Sequence, residues 1–195
     1  RDGGAFDPNP CKPRKEALMS QQELQIHTRR LTLRHITECD WQGVQRIWED
    51  AKASPYAQYD RPHNTDSTDV RSRIAHWAEA SKGTEHIFFS VCLHDAIIGY
   101  IAFNLRADGY EIGYCFHSDY HGKGYARESL SALMAYMKDL GAAKLTAGTA
   151  INNTPSVRLL TALGFRLTKV EKGFFYKDDA GNNIVFDGGV YERTL

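Results

Sequence analysis

The sequence predicts a single α/β domain of the mixed α+β kind, and three observations lead to this prediction. Segments with strand and helix periodicity follow one another in the order β-α-α-β-β-β-α-β-α-β-β. Three of the strands are consecutive and joined by short turns, which is typical of an antiparallel meander. The 195-residue chain shows neither an internal repeat nor an interdomain linker, so we expect one mixed sheet flanked by helices.

Composition narrows the class of function. The hydrophobic fraction is 42%, which is enough to bury a core, and 24 basic residues balance 24 acidic ones. A formal net charge of zero gives no reason to expect a nucleic-acid or strongly anionic partner. A catalytic domain that acts on a small or peptidic substrate fits this balance better.

The N-terminal residues differ in composition from the rest. Residues 1–18 contain a Gly3-Gly4 pair and three prolines, and they show no periodicity. We interpret them as a tag, a linker or a disordered extension and assign the domain to residues 19–195. A functional N-terminal arm is the alternative.

The first half of the domain begins with a strand over residues 31–34. Thr37 and Asp40 have the spacing of a capping box, which predicts the start of the first helix. A second helix is predicted from Ser67 to a C-terminal glycine cap at Gly83.

The second half is rich in strands, with a tight turn predicted at residues 94–95. We predict strands over residues 87–93, 96–105, 110–116 and 145–151, helices over 126–141 and 155–163, and two more strands from 165 onward. Four aromatic residues of the last two strands are expected in the core: Phe174, Phe175, Tyr176 and Phe186.

The segment that follows the third meander strand carries the chemistry. A loop containing Gly122 and Gly124 opens directly into an amphipathic helix. Because the first backbone N–H groups of a helix lack intrahelical acceptors and the dipole is positive there, this arrangement predicts a pyrophosphate cradle, to which Lys123 adds charge. The spacing is neither a Walker P-loop nor a dinucleotide fingerprint. A plain strand-to-helix connection is the alternative.

In its context this loop resembles the acyl-CoA pyrophosphate motif of the GNAT superfamily of N-acetyltransferases, Q/R-x-x-G-x-G/A. His121 stands where that motif has Gln or Arg. Residues 28–34, 110–114 and 153–165 are similar, in the same order, to segments of the RimJ/RimL-like branch. The resemblance implies a mostly antiparallel central sheet splayed around an acetyl-CoA site, and transfer of acetyl to a primary amine by direct attack in a ternary complex.

The same resemblance implies which residues bind acetyl-CoA. The pyrophosphate would lie on the loop and the first helical turn, formed by His121, Gly122, Lys123, Gly124, Tyr125 and Ala126. The pantetheine arm would pair with the strand end at Cys115, Phe116 and His117 and form a hydrogen bond with Asn153.

Two residues are candidates for the proton transfers. Glu111 lies on the strand that leads to the loop, and we predict that it acts as the general base through water. A solvent-facing strand residue is the alternative. The resemblance implies that Ser156 delivers a proton to the leaving thiolate, and helix capping is the alternative.

The acceptor is expected to meet the irregular segment of residues 54–66, because long loops in compact domains are often functional. The candidate contacts are Tyr56, Tyr59, Arg61 and His63. A disordered surface loop is the alternative. The sequence does not separate a protein N-terminal α-amine from a small-molecule amine as the acceptor.

No metal site is predicted. The four cysteines form no C-x-x-C pair, and His117 and His121 lack nearby carboxylates. No apolar run approaches the length of a membrane span, and we expect a cytoplasmic protein. A non-catalytic acyl-CoA-binding sensor or interaction module is the alternative to an enzyme. A nucleic-acid-binding domain ranks below both, and the oligomeric state, a homodimer included, stays open.

Overall fold

The computed structural model describes residues 24–195, so the extension predicted over residues 1–18 lies outside the described part. The strands are β1 (Gln25–His27), β2 (Thr32–His35), β3 (His86–Leu93), β4 (Ala96–Arg106), β5 (Gly109–Phe116), β6 (Lys144–Ala150), β7 (Arg166–Lys177) and β8 (Asn183–Thr194). The helices are α1 (Trp41–Lys52), α2 (Ser67–Ala80), α3 (Tyr125–Asp139) and α4 (Thr154–Ala162).

All eight strands belong to one sheet, in the order β1-β2-β3-β4-β5-β6-β8-β7. Every neighbouring pair is antiparallel except β5 and β6, which are parallel. The predicted mixed fold with a mostly antiparallel sheet is therefore confirmed. The short strand β1, which pairs with β2, was not predicted, because three residues are too few to show a period.

Helices cover both faces of the sheet. On one face, α3 and α4 pack over the inward side chains of β2 to β6, and α3 contributes the buried residues Leu130, Leu133, Met134 and Met137. On the other face, α1 and α2 form a second core around Trp48 with residues of β3 and β4. The amphipathic helix predicted after the glycine-containing loop is therefore confirmed, because its apolar residues face the sheet.

The ends of the elements follow local chemistry. His94 has a φ of 52° in the two-residue turn between β3 and β4, and Gly141 and Gly164 adopt the left-handed conformation after α3 and α4. The predicted cap at Gly83 is wrong, because Gly83 has no positive φ and the C-cap residue is Ser81. The Ser81 hydroxyl donates to the Trp77 carbonyl at 2.8 Å.

A buried ion pair joins β2 to the start of α1. Asp40 is buried and accepts two hydrogen bonds from Arg34, at 2.7 Å each, and one from the Ser90 hydroxyl at 2.8 Å. Its carboxylate also accepts the Thr37 N–H at 2.8 Å, which is one half of the predicted capping box. This box begins a 3₁₀ turn, and α1 itself begins at Trp41.

The aromatic residues of β7 and β8 do not form core, so that prediction is wrong. Phe174 is 56% exposed and Phe175 is 37% exposed, while Tyr176 and Phe186 are half-buried. The physical reason is that β8 pairs with β6 only from Gly188 onward. Residues 172–187 form a two-stranded ribbon that extends past the sheet.

Candidate active site

The parallel strands β5 and β6 separate along their length. They pair at three positions, the last of which joins Ile112 to Ala147. Beyond it, residues 113–116 of β5 pair with β4 and residues 148–150 of β6 pair with β8. The two facing backbone edges diverge, and a gap opens in the middle of the sheet.

Two glycines leave space beside this gap. Gly113 and Gly148 are next in register after the last paired position, and no described atom lies within 4 Å of where a Cβ would stand on either residue. Strand alternation places Gly113 on the same face as Cys115, which packs against the α1–α2 core. Neither glycine has a positive φ, so the open space rather than the backbone conformation distinguishes them.

The loop after β5 ends in two left-handed glycines at the start of α3. Gly122 has a φ of 72° and Gly124, the N-cap, has a φ of 81°. The first intrahelical bond runs from the Glu128 N–H to the Gly124 carbonyl. The N–H groups of residues 125–127 therefore have no acceptor within the helix, and this is the geometry of an anion-binding helix N-terminus.

A charged cluster from the β1–β2 turn braces this helix start. Arg30 donates from its backbone N–H and its Nε to the two carboxylate oxygens of Glu128, at 2.9 and 2.7 Å, and Thr28 donates to the same carboxylate at 2.6 Å. The Arg30 guanidinium also donates to the Lys123 carbonyl at 3.0 Å and lies 4.3 Å from the centre of the Tyr125 ring. One arginine thus fixes the loop and the first turn together.

The same cluster controls the charge of Glu128. Burial by itself would raise the pKa of Glu128, but the hydrogen bonds from Thr28 and Arg30 outweigh it and hold that pKa below its ordinary value. The carboxylate is therefore ionised at neutral pH. Its charge is matched by Arg30, which keeps the helix N-terminus suitable for a phosphate.

Side chains of the loop bond to its own backbone. The His121 Nε2 lies 2.7 Å from the Phe116 carbonyl at the end of β5. His117 Nδ1 accepts the Asp119 N–H at 3.3 Å, and the Lys123 ammonium donates to the Asp119 carbonyl at 2.8 Å. Residues 116–124 therefore form one connected unit from the end of β5 to α3.

A pair of hydroxyl groups lies on the α3–α4 face of the gap. The Tyr114 hydroxyl is 2.8 Å from the Ser156 Oγ, in the first turn of α4. Burial raises the pKa of Tyr114 to about 12, although the Ser156 hydrogen bond opposes the shift. The phenol therefore stays protonated at neutral pH and can donate.

Capping of α4 is done by Asn153 and not by Ser156. The Asn153 side-chain oxygen accepts the Ser156 N–H at 3.4 Å, and Asn153 is the N-cap residue. This arrangement leaves the Ser156 hydroxyl free for Tyr114. The capping alternative for Ser156 therefore does not describe its side chain.

Glu111 lies just before the gap opens, on the face that carries Gly113 and Cys115. It pairs with Thr146 of β6 in the last paired region. Its carboxylate accepts two hydrogen bonds from the Arg106 guanidinium, at 2.9 and 2.5 Å, and is 43% exposed. The structure therefore places Glu111 in a partly exposed ion pair with Arg106.

The irregular segment between α1 and α2 reaches across to the far side of the gap. The Tyr59 hydroxyl accepts a hydrogen bond from Asn152, directly after β6, at 2.8 Å, and its ring packs edge-on against Phe186 at 5.3 Å. The Arg61 guanidinium lies 5.9 Å from the Phe175 ring. Tyr56 is half-buried, and its N–H bonds to Ser54.

His63 lies deeper, over the α1–α2 core. Its imidazole stacks on Trp48 with 4.5 Å between centroids and an angle of 2° between the planes. The Trp48 indole N–H donates to the Tyr100 hydroxyl at 2.9 Å, and Tyr100 pairs with Cys115 in the splayed half of β5. The structure thus links His63 to the gap through two aromatic rings.

Cys115 is not poised as a nucleophile. Burial raises the pKa of its thiol to about 12, with a further contribution from the charges of Asp60 and Asp50. The thiolate is the reactive form of cysteine, so this thiol is inert at neutral pH. Among residues 24–195, no group of three or more His, Cys, Asp or Glu side chains could hold a metal ion.

Several site residues, Gly113 and Tyr100 among them, were not named as such from the sequence. Tyr114 shares its face with Ile112, and this alternation could have marked it as a partner for α4. Gly148 and Trp48 gave no usable signal, because a glycine in a strand and a tryptophan on a helical stripe are both ordinary core features.

Comparison with known proteins identifies the family. The sequence model of the acetyltransferase (GNAT) domain matches residues 30–166, which include the gap, the loop and α4. The chain belongs to the GNAT acetyltransferase family. It is 31% identical to the uncharacterized N-acetyltransferase p20 of Bacillus licheniformis over 72% of this chain and 82% of p20. It is 29% identical to the uncharacterized N-acetyltransferase YnaD of Bacillus subtilis (strain 168) over 79% of this chain and 87% of YnaD.

Solved structures agree with the GNAT assignment. A GNAT-family acetyltransferase from Bacillus anthracis is 26% identical with a TM-score of 0.68, over 88% of this chain and 98% of that one. RimL, the ribosomal L7/L12 α-N-protein acetyltransferase, has the same fold in its complex with coenzyme A. Its TM-score is 0.75 at 18% identity, over 88% of this chain and 98% of RimL. The expected likeness to the RimJ/RimL-like branch holds for the fold.

Proposed function

We propose that this GNAT acetyltransferase transfers acetyl from acetyl-CoA to a primary amine, by direct attack of the amine in a ternary complex. The observation that carries the proposal is the gap between β5 and β6, because the strand on one side of it leads directly to the free N–H groups of α3. A thioester in the gap and a pyrophosphate on the helix would be held by a single continuous unit. The solved RimL complex with coenzyme A supports the same assignment.

The acetyl-CoA contacts are assigned to the loop and the strand edge. His121, Gly122, Lys123, Gly124, Tyr125 and Ala126 would bind the pyrophosphate, mainly through backbone N–H groups. The free backbone edge at Cys115, Phe116 and His117 would pair with the pantetheine arm, which Asn153 would contact from the start of α4. Backbone N–H groups at the opening of the gap would stabilise the oxyanion.

Protonation of the leaving thiolate is assigned to the two hydroxyls on the α3–α4 face. When the carbon–nitrogen bond forms, the carbon–sulfur bond breaks and the sulfur leaves as a thiolate. Ser156 donates its proton to that sulfur and regains one from the Tyr114 hydroxyl, 2.8 Å away. The phenol is then reprotonated from solvent, so the pair ends the cycle unchanged.

An ammonium acceptor loses two protons in each cycle, one before attack and one after the new bond has formed. We assign the second proton to Glu111 through water, because Glu111 lies on the acceptor face at the start of the gap. The acceptor amine approaches from that face, which Gly113 and Gly148 leave open. Tyr56, Tyr59, Arg61 and His63 are its proposed contacts.

The acceptor is proposed to be either a protein N-terminal α-amine or a small-molecule amine. RimL is a ribosomal L7/L12 α-N-protein acetyltransferase. The microcin C7 self-immunity acetyltransferase MccE, a structural neighbour with a TM-score of 0.72, was solved with acetyl-CoA and AMP. The cytoplasmic location and a homodimer stay predictions. No helix in residues 24–195 is long and apolar enough to cross a membrane.

The test is thiol release from acetyl-CoA against a panel of small amines and N-terminal peptides, by wild type and by a Glu111→Gln, Ser156→Ala double variant. We expect turnover with one amine class and a loss of at least ~100-fold in the double variant. Unchanged turnover in a double variant that still binds CoA would overturn the catalytic assignments. Binding of acetyl-CoA without turnover of any amine by wild type would favour the sensor module.

A further inference from the structure

We propose that His63 takes the first proton from the acceptor, converting the bound ammonium into the amine that attacks the thioester. This inference rests on the proposed function and names the group that prepares the nucleophile. In this step an N–H bond of the ammonium breaks and its proton forms a bond to the His63 Nδ1. After product release the same proton leaves Nδ1 for solvent, which restores the starting tautomer. Glu111 is still the group that accepts, through water, the second proton that the nitrogen loses after the attack.

The environment of the His63 Nδ1 supports this role. The His63 Nδ1 is buried and has no hydrogen-bond partner among the described residues. A buried polar atom without a partner costs free energy, so a donor is expected to complete it when the site is filled. The N–H of an acceptor is such a donor.

The position of His63 relative to the gap also supports this role. His63 stacks on Trp48, which bonds to Tyr100, which pairs with Cys115 beside the gap. This chain of contacts lies on the face where Gly113 and Gly148 leave open space. A proton acceptor here meets the incoming nitrogen, whereas the Glu111 carboxylate is bonded to Arg106 at the surface.

The rings around His63 also favour a cation. Trp77 meets Trp48 edge to face with 5.6 Å between ring centroids and lies tilted against Tyr100 at 5.3 Å. The Arg73 guanidinium lies 5.5 Å from the centre of the Trp48 ring, and aromatic rings attract such cations. Asp60 acts electrostatically on both His63 and Tyr100.

The charges around His63 leave it neutral at physiological pH. Burial lowers the pKa of His63, the Arg73 charge from α2 and the Lys52 charge from the end of α1 lower it further, and Asp60 opposes them. The remaining neighbours on β4 and β5 are uncharged, because burial raises the pKa of Tyr100 well above its usual value and that of Cys115 to about 12. The neutral imidazole is the form that can accept a proton.

The experiment uses the full chain, the amine that supports turnover, and three variants. His63→Gln and His63→Ala are compared with His76→Gln, a matched control on the exposed face of α2. The kcat/KM for the amine is measured from pH 5 to pH 9 with and without added imidazole. A thermal shift with acetyl-CoA verifies that each variant folds and binds the donor.

We expect both His63 variants to lose ~30-fold or more of kcat/KM at neutral pH. Wild type and His76→Gln should lose activity as the pH falls through the pKa of the imidazole, and imidazole should restore at least part of the activity of His63→Ala alone. A His63→Gln enzyme within threefold of wild type overturns the inference, as does failure of imidazole to rescue His63→Ala. No turnover by wild type with any amine overturns the proposed function as well.

Discussion

The hydroxyl oxygens of Tyr114 and Ser156 lie 2.8 Å apart, although the two residues are 42 positions apart in the chain. The contact exists because β5 and α4 flank the same gap, where β5 no longer pairs with β6. Under the proposed mechanism, a thioester sulfur in the gap would lie beside both hydroxyls. Their 2.8 Å separation would let Tyr114 return a proton to Ser156 after Ser156 has protonated the leaving thiolate.

Removing either hydroxyl should slow the chemical step. We expect Ser156→Ala and Tyr114→Phe each to lower kcat by about 10- to 100-fold, and the double variant to lose little more than the stronger single variant, because the two act as a unit. Steady-state thiol release measures kcat, and a titration with acetyl-CoA measures donor affinity.

The control for this pair is Ser131→Ala, an exposed serine of α3. It should leave kcat within twofold of wild type. Additive losses in the double variant, or an affinity for acetyl-CoA that falls as much as kcat, would contradict a proton relay and indicate a binding role.

Filling the space beside the gap should abolish activity without unfolding the protein. Gly113→Val and Gly148→Val place side chains where no described atom lies within 4 Å, and neither residue needs a positive φ. We expect the free energy of unfolding to change by less than about 1 kcal/mol, while kcat/KM for the amine falls at least ~100-fold. Urea unfolding and thiol release are measured on the same samples.

Gly83→Ala serves as the control, because its added Cβ would make an ordinary contact, at 3.5 Å from the Ala80 carbonyl, and Gly83 is not one of the residues that border the gap. Its activity should match that of wild type. Full activity in both valine variants would mean that neither acetyl nor amine occupies this space.

Removing the Arg30 contacts at the start of α3 should weaken the binding of acetyl-CoA more than it slows the chemical step. Arg30→Gln removes the bonds to Glu128 and to the Lys123 carbonyl, and leaves the Glu128 charge beside the helix N-terminus. We expect the Kd for acetyl-CoA to rise about 10-fold, equivalent to about 1.4 kcal/mol, with kcat at saturation nearly unchanged. Calorimetric titration measures the Kd.

The control for this variant is Lys138→Gln at the other end of α3, which also removes one positive charge. Its Kd should stay within twofold of wild type. An equal loss of acetyl-CoA affinity in the two variants would show that long-range charge, and not the Arg30 contacts, accounts for the effect.

The buried pair of Arg34 and Asp40 predicts a pH-dependent stability. Burial raises the pKa of Asp40, but the Arg34 hydrogen bonds and charge outweigh it, so the net pKa lies below its ordinary value. A depressed carboxyl pKa stabilises the fold above the unfolded-state value of about 3.9, and this contribution is lost as the pH falls through the folded-state pKa. Asp40→Asn should lower the free energy of unfolding by about 3 kcal/mol at pH 7.

Urea unfolding from pH 7 to pH 3 checks this prediction. The difference in unfolding free energy between wild type and Asp40→Asn should be full at pH 7 and shrink below about pH 4. A difference that is constant with pH would show that the carboxylate charge does not contribute.

The order of elements could be predicted from the sequence, because the periods and turn residues that fix it are local. The loop could be predicted for the same reason, because Gly122, Gly124 and the helix after them are adjacent in the sequence. Contacts between distant segments could not be predicted, such as Tyr59 with Asn152 or His63 with Trp48, because no local pattern encodes which loop crosses which strand. The exposure of Phe174 was missed because aromatic alternation does not reveal that the ribbon extends past its sheet.

Every proposed step requires the donor site at the gap and on α3. The decisive measurement is the thermal unfolding midpoint of the wild-type protein at increasing acetyl-CoA, with thiol release followed in the same samples after an amine is added. We expect a midpoint that rises with concentration, by an amount that reflects about 2.7 kcal/mol at 100 times the Kd, and thiol release that depends on the amine. A midpoint unaffected by acetyl-CoA or CoA would contradict the donor site and every step assigned to it.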